Sequence, residues 1–142
     1  MAENTLPTEI HLDIVTPDHL VARDAVTAVS IPGKNGCLGI LPGHAPLLTE
    51  LAPGSLTYTS ENTPHALFVN WGFVEVLPDR VIVLAQSAER AEEIDVERAE
   101  NAKSRAEDRL KRLDDPQVDM ERAREALRRA IARLETAGKT HR

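Results

Sequence analysis

The sequence is poor in the things proteins use for chemistry. Its 142 residues include one cysteine, so neither an internal disulfide nor a thiol-rich zinc site can form. Cys37 reads as a small buried or half-buried apolar residue. Aromatic residues make up only 3% of the chain: Tyr58, Phe68, Trp71 and Phe73. No apolar run approaches the length of a membrane span, and "MAENTLPTEI" lacks the basic start and hydrophobic stretch of a leader. The expectation is a folded chain that stays where it is made, without direct insertion into lipid. His11, His19, His65 and His141 are scattered without metal-ligand spacing. No nucleophile sits with a base, no catalytic pair of carboxylates is visible, and no glycine-rich phosphate loop appears. These absences argue against an enzyme and against a metal centre. A net charge of -6, with acids interleaved among the bases, argues against nucleic acid.

What is present falls into two unlike segments. From Glu89 to the C-terminus there are 14 basic and 14 acidic residues, whereas residues 1–88 hold 3 basic and 9 acidic residues and all the aromatics. The division predicts two domains, 1–88 and 89–142.

The first segment consists of short apolar runs cut by turn residues. "EIHLDIV" alternates Ile10, Leu12 and Ile14 with polar neighbours, as a half-buried strand does. "DAVTAVSIPGKNG" predicts a strand stopping at Pro32 and Gly33, "GSLTYTS" another, and "HALFVNWGFVEVLPDRVIVLAQ" two strands joined at Pro78 and Asp79. Many strands with no intervening helix predict an antiparallel β-sandwich. Within it, "GCLGILPGHAPLL" reads as a stiff, apolar docking loop. Gly36, Gly39 and Gly43 permit unusual backbone, and Pro42 and Pro46 brace it around His44. A lone His44 reads better as a hydrogen-bonded loop residue than as a catalyst.

The second segment changes period. Ala91, Ala99, Ala102, Ala106, Leu110 and Leu113 form one helical stripe, and Ala123, Ala126, Leu127, Ala130, Ile131 and Leu134 a second. Asp115 and Pro116 look like an N-cap and first helical residue, and Gly138 like a C-terminal cap. The result is an antiparallel helical hairpin. Its stripes are mostly alanine and bury little area at about 25 cal/mol per Å². It should therefore depend on docking and open cheaply, remaining helical when undocked.

The charges of the hairpin have two readings. Asp95 caps the first helix by accepting its orphan N–H groups. Arg98 in the opening turn then faces the positive end of the helix dipole, an unfavourable place for a base. Arg98, Arg105 and Arg109 share one side of that helix, and Arg122, Arg129 and Arg133 one side of the next. Such rows are either solvated faces or clamps for a polyphosphate or an acidic surface.

The order of motifs resembles one family along nearly the whole chain. "LDIVTP", "SIPGKNGCLGILPGHAPLLTELAPGSL", "GFVEVLPDRVIVLAQSAERAEEID" and the hairpin are similar to the epsilon subunit of bacterial F-type ATP synthase. The most specific strings are "GILPGHAPLLT" and "IDxxRA" at Ile94–Ala99. The resemblance implies a non-catalytic central-stalk rotor subunit at the cytoplasmic face of the bacterial plasma membrane, held there peripherally. It implies a sandwich that binds the gamma subunit and sits on the c-ring, with Gly36, Cys37, Pro42 and His44 at subunit contacts. It also implies a hairpin that can extend towards the catalytic alpha and beta subunits, bringing Arg122 to a subunit contact and inhibiting ATP hydrolysis. Some relatives bind regulatory ATP at the folded hairpin. Their motif carries over to Glu89, Ile94, Asp95, Arg98, Arg105, Arg129 and Arg133, with magnesium as a possible companion of the nucleotide. A different reading is a stand-alone ATP-sensing module. Two departures stand out: Cys37 replaces the acid of the usual "GELG", and Trp71 replaces a glycine before "GFVEV". Trp71 fits either an enlarged core or a partner-facing patch.

Overall fold

In the computed structural model, residues 5–141 are described. Eight strands come first: β1 (Ile10–Val15), β2 (Leu20–Val26), β3 (Ala28–Gly33), β4 (Gly36–Ile40), β5 (Leu47–Leu51), β6 (Gly54–Ser60), β7 (Thr63–Leu77) and β8 (Arg80–Arg90). A 3-10 turn at Ala91–Glu93 leads to helices α1 (Val96–Leu110) and α2 (Met120–Ala137). This is the expected β-sandwich followed by a helical hairpin.

The strands form one sheet in the order β2-β1-β8-β7-β5-β3-β4, with β6 pairing β3 and β7. The long strand β7 joins the two layers: its first half pairs with β6 and its second half with β5. Where it passes between them, Trp71 has φ 23 and Gly72 φ 154. A Cβ at Gly72 would collide with the carbonyl oxygen of Leu84, so this corner requires glycine. One pairing departs from the antiparallel expectation, since β1 runs parallel to β8. "DAVTAVSIPGKNG" also holds the end of β2 as well as β3, and the expected loop "GCLGILPGHAPLL" contains β4 and the start of β5.

Alternation places Ile10, Leu12, Ile14, Val74, Val76, Val81 and Val83 between the layers, all fully buried. Tyr58 sits at one end of this core, donating from its hydroxyl to Asp24 Oδ2 at 2.9 Å and stacking on His65. Burial pushes the Tyr58 hydroxyl above its ordinary range. Arg90 beside it donates to the Val21 carbonyl at 3.3 Å, which fastens the end of β8 where the hairpin begins.

On the outward face, Arg23 Nε donates to Asp13 Oδ1 at 2.9 Å and Arg80 lies 3.7 Å from the other carboxylate oxygen. The Arg23 hydrogen bond holds the Asp13 carboxyl below the usual carboxylate range, with the charges of Arg23 and Arg80 acting in the same direction.

The first helix starts as its sequence specifies: Asp95 accepts from the Arg98 N–H at 3.0 Å. The second does not start at Asp115. Its N-cap is Asp119, which accepts from the Arg122 N–H at 3.1 Å. Asp115 instead accepts from the Gln117 N–H at 2.9 Å, a local turn that mimics a helix start. Gly138 is the C-terminal cap of α2, but with φ -64 and not a left-handed conformation. The chain continues into a 3-10 turn.

Candidate functional site

The alanine stripes face each other. Ala99 and Ala106 of α1 and Ala123 and Ala130 of α2 are buried in the seam. α2 also packs against β6 and β7, and the apolar part of that contact is small: Phe68, Ile94 and Ala132, with Ala137 beside them. Two arginines of α2 complete it. Arg133 lies over the Phe68 ring at 4.5 Å and Arg128 over Trp71 at 5.7 Å. Arg133 Nε also donates to Glu89 Oε2 at 3.0 Å. Ser55 Oγ, Asn70 Oδ1 and Glu125 Oε2, on the same strands and helix, are shut from solvent with no hydrogen-bond partner among the described residues.

A cleft of about 300 Å³ opens between the end of β8, α1 and α2, lined by Glu89, Glu93, Asp95, Arg98, Arg105 and Arg133 together with Ala99 and Ala102. Five of the residues singled out from the sequence therefore meet here: Glu89, Asp95, Arg98, Arg105 and Arg133. Sequence reasoning missed Glu93, whose signal was its place two residues before the cap. Ile94 lies beneath, in the Phe68 cluster. Arg129 is half-buried on α2 but does not line this cleft. Glu89 is engaged by Arg133, and Asp95 by the α1 N-terminus. Arg98 and Arg105 are exposed and make no ion pair among the described residues. Two guanidinium groups are thus left free beside a third that is held in place.

The arginine rows divide between the two ends of the hairpin. Arg109 and Arg122 line a separate hollow at its turn, with Arg112, Asp115 and Asp119.

The sandwich offers two further surfaces. At one end, Leu41 is 64% and Leu48 71% exposed around the loop of Pro42 and His44. The loop is tied down: Gly43 N–H donates to the Pro78 carbonyl at 2.7 Å and His44 Nδ1 to the Ala45 carbonyl at 2.7 Å. Gly36 and Cys37 are exposed on the short strand β4, contrary to the buried or half-buried place expected for Cys37, and Cys37 Sγ lies 3.3 Å from Ser30 Oγ. On the outward face of the layer away from the hairpin, Phe73 and Leu84 are direct cross-strand neighbours and about half exposed. They border a cleft of about 580 Å³ with Val15, Pro17 and Trp71. Contiguous exposed apolar side chains of this kind make the face a candidate contact surface.

Comparison with known proteins agrees with this arrangement. Residues 9–91 match the family "ATP synthase, Delta/Epsilon chain, beta-sandwich domain" and residues 92–138 match "ATP synthase, Delta/Epsilon chain, long alpha-helix domain". The chain belongs to the ATP synthase epsilon chain family. It is 50% identical over 129 residues to the epsilon chain of Nitratidesulfovibrio vulgaris, covering 91% of this chain and 96% of that one. It is 60% identical over 98 residues to the epsilon chain of Koribacter versatilis, covering 69% of each. A chain in the Euglena gracilis mitochondrial ATP synthase structure, at 24% identity, has the same fold with a TM-score of 0.82, covering 99% of this chain and 86% of that one. As an epsilon chain, the protein is a non-catalytic subunit of the synthase. No helix among its described residues is long and apolar enough to cross a membrane.

Proposed function

We propose that this epsilon chain works in the rotor of an F-type ATP synthase, linking the gamma subunit to the c-ring and restraining ATP hydrolysis through its hairpin. The carrying observation is the exposed pair Phe73 and Leu84 on a sheet layer whose opposite partner already carries the hairpin. This face docks gamma, while the tied loop with Leu41, Pro42, His44 and Leu48 rests on the c-ring. Cys37 in place of the usual acid makes that contact less dependent on charge.

The hairpin is the regulatory element. Its docking rests on one small apolar cluster and two arginine–aromatic contacts, which suits a two-state element. Extended, the arginines at its turn, Arg122 among them, meet acidic surface on the alpha and beta subunits. Folded, the cleft takes the phosphates of ATP: Arg98 and Arg105 supply unpaired guanidinium forks and Arg133 closes the site. Its volume stands at the lower end of the range for small-molecule sites, so the cleft fits part of a nucleotide better than all of it. Magnesium, in this reading, arrives with the nucleotide. The complex holds the chain peripherally at the cytoplasmic face of the bacterial membrane.

Co-purification with gamma tests the docking face. The full chain should retain gamma and the Phe73→Asp/Leu84→Asp variant should lose it while keeping its thermal midpoint. Equal retention by both would place gamma elsewhere. Calorimetric titration with ATP tests the cleft, and no heat at millimolar nucleotide would remove ATP from this reading.

A further inference from the structure

Trp71 occupies an unusual backbone position. A bulky residue at φ 23 lies where side chains are disfavoured, at a cost of order 1 kcal/mol. Such strain persists where surrounding contacts offset it. The hairpin supplies one such contact: the Arg128 guanidinium lies 5.7 Å from the centre of the Trp71 ring. Trp71 also borders the apolar cleft beside Phe73 and Leu84. Arg128 is held over it by an ion pair with Glu125 at 3.3 Å, three residues earlier on α2.

We propose that Trp71 and Arg128 form a clasp that holds the hairpin on the sandwich independently of the nucleotide cleft. The clasp lies outside that cleft, which is lined by neither residue. It therefore biases the hairpin towards the docked state when no ligand is present. The Arg133–Phe68 contact differs because Arg133 faces the cleft. Indole is the best of the aromatic rings for holding a cation over its face, and a half-exposed contact of this kind changes an equilibrium by about two- to fivefold.

The inference rests on the hairpin being mobile, and the test separates the two claims. In the full chain carrying Cys37→Ser, Ala132→Cys places a thiol in the covered interface, where Ala132 is 5% exposed. Its labelling rate by a soluble disulfide reagent reports undocking. Trp71→Leu and Arg128→Met should each raise that rate about two- to fivefold. Their combination should raise it no further than the larger single effect, because both remove one contact. Glu125→Gln, which leaves ring and cation in place, should change it less. Rates that are unchanged, or that multiply in the double variant, would overturn the clasp while leaving mobility intact. A thiol reactive only after urea unfolds the whole chain would overturn both.

Discussion

Arg133 Nε donates to Glu89 Oε2 at 3.0 Å, joining α2 to the end of β8. The two side chains are 29% and 38% exposed, so screening limits the ion pair alone to at most about 1 kcal/mol. Arg133 also covers the Phe68 ring. Arg133→Ala should therefore release the hairpin more than Glu89→Gln does. Emission from Trp71, the one tryptophan, reads the release through its contact with Arg128. A larger effect for Glu89→Gln would show that the charge pair outweighs the ring contact.

Arg98 and Arg105 should matter to ligand and hardly to fold. The Arg98 side chain makes no ion pair among the described residues, and its N–H serves the Asp95 cap whatever the side chain. Arg98→Ala and Arg105→Ala should each shift stability by less than about 0.5 kcal/mol. Each should weaken ATP binding by about tenfold or more, the scale of a charge-assisted hydrogen bond. Calorimetry and a thermal melt on the same samples separate the two quantities.

Asp95 has the opposite profile. Asp95→Ala removes the α1 cap at about 1 kcal/mol, and Asp95→Asn should restore most of that. Amide exchange at Val96–Ala99 is the direct reading, because the loss is confined to the first turn.

Much of this was legible from local chemistry. The Asp95 cap, the alanines at the centre of the two stripes and the Pro78–Asp79 hairpin each depend on neighbours a few residues apart, whereas Ala91 and Leu113, assigned to the first stripe, fall outside α1 and Ile131, assigned to the second, is exposed. The second helix start was misread because Asp115 and Pro116 imitate an N-terminus that Asp119 supplies four residues later. What depends on distant pairing could not be read: the parallel register of β1 on β8, or Tyr58 finding Asp24. Helical spacing grouped Arg129 with Arg133, but the rotation of α2 on the sheet turns Arg128 towards Trp71. No periodicity specifies that rotation.

Acid should weaken the sandwich through Asp13. Its carboxyl is held low by Arg23 and Arg80, so the unfolded chain takes up the proton first as pH falls. The Asp13 contribution is complete above its unfolded pKa of about 3.9 and is lost as pH drops through the lower folded value. Asp13→Asn should be less stable at pH 7 and should show a flatter decline below pH 4. Urea midpoints across that range check it, and parallel curves would rule Asp13 out as the source.

In the proposed function the hairpin is a removable brake on hydrolysis, applied when it leaves the sandwich and extends. ATP hydrolysis should be compared in synthase assembled with the full chain and with a chain ending at Arg90, which retains all eight strands. Complete assembly is expected in both cases, with severalfold faster hydrolysis for the shorter chain. Equal rates in two fully assembled complexes would contradict it.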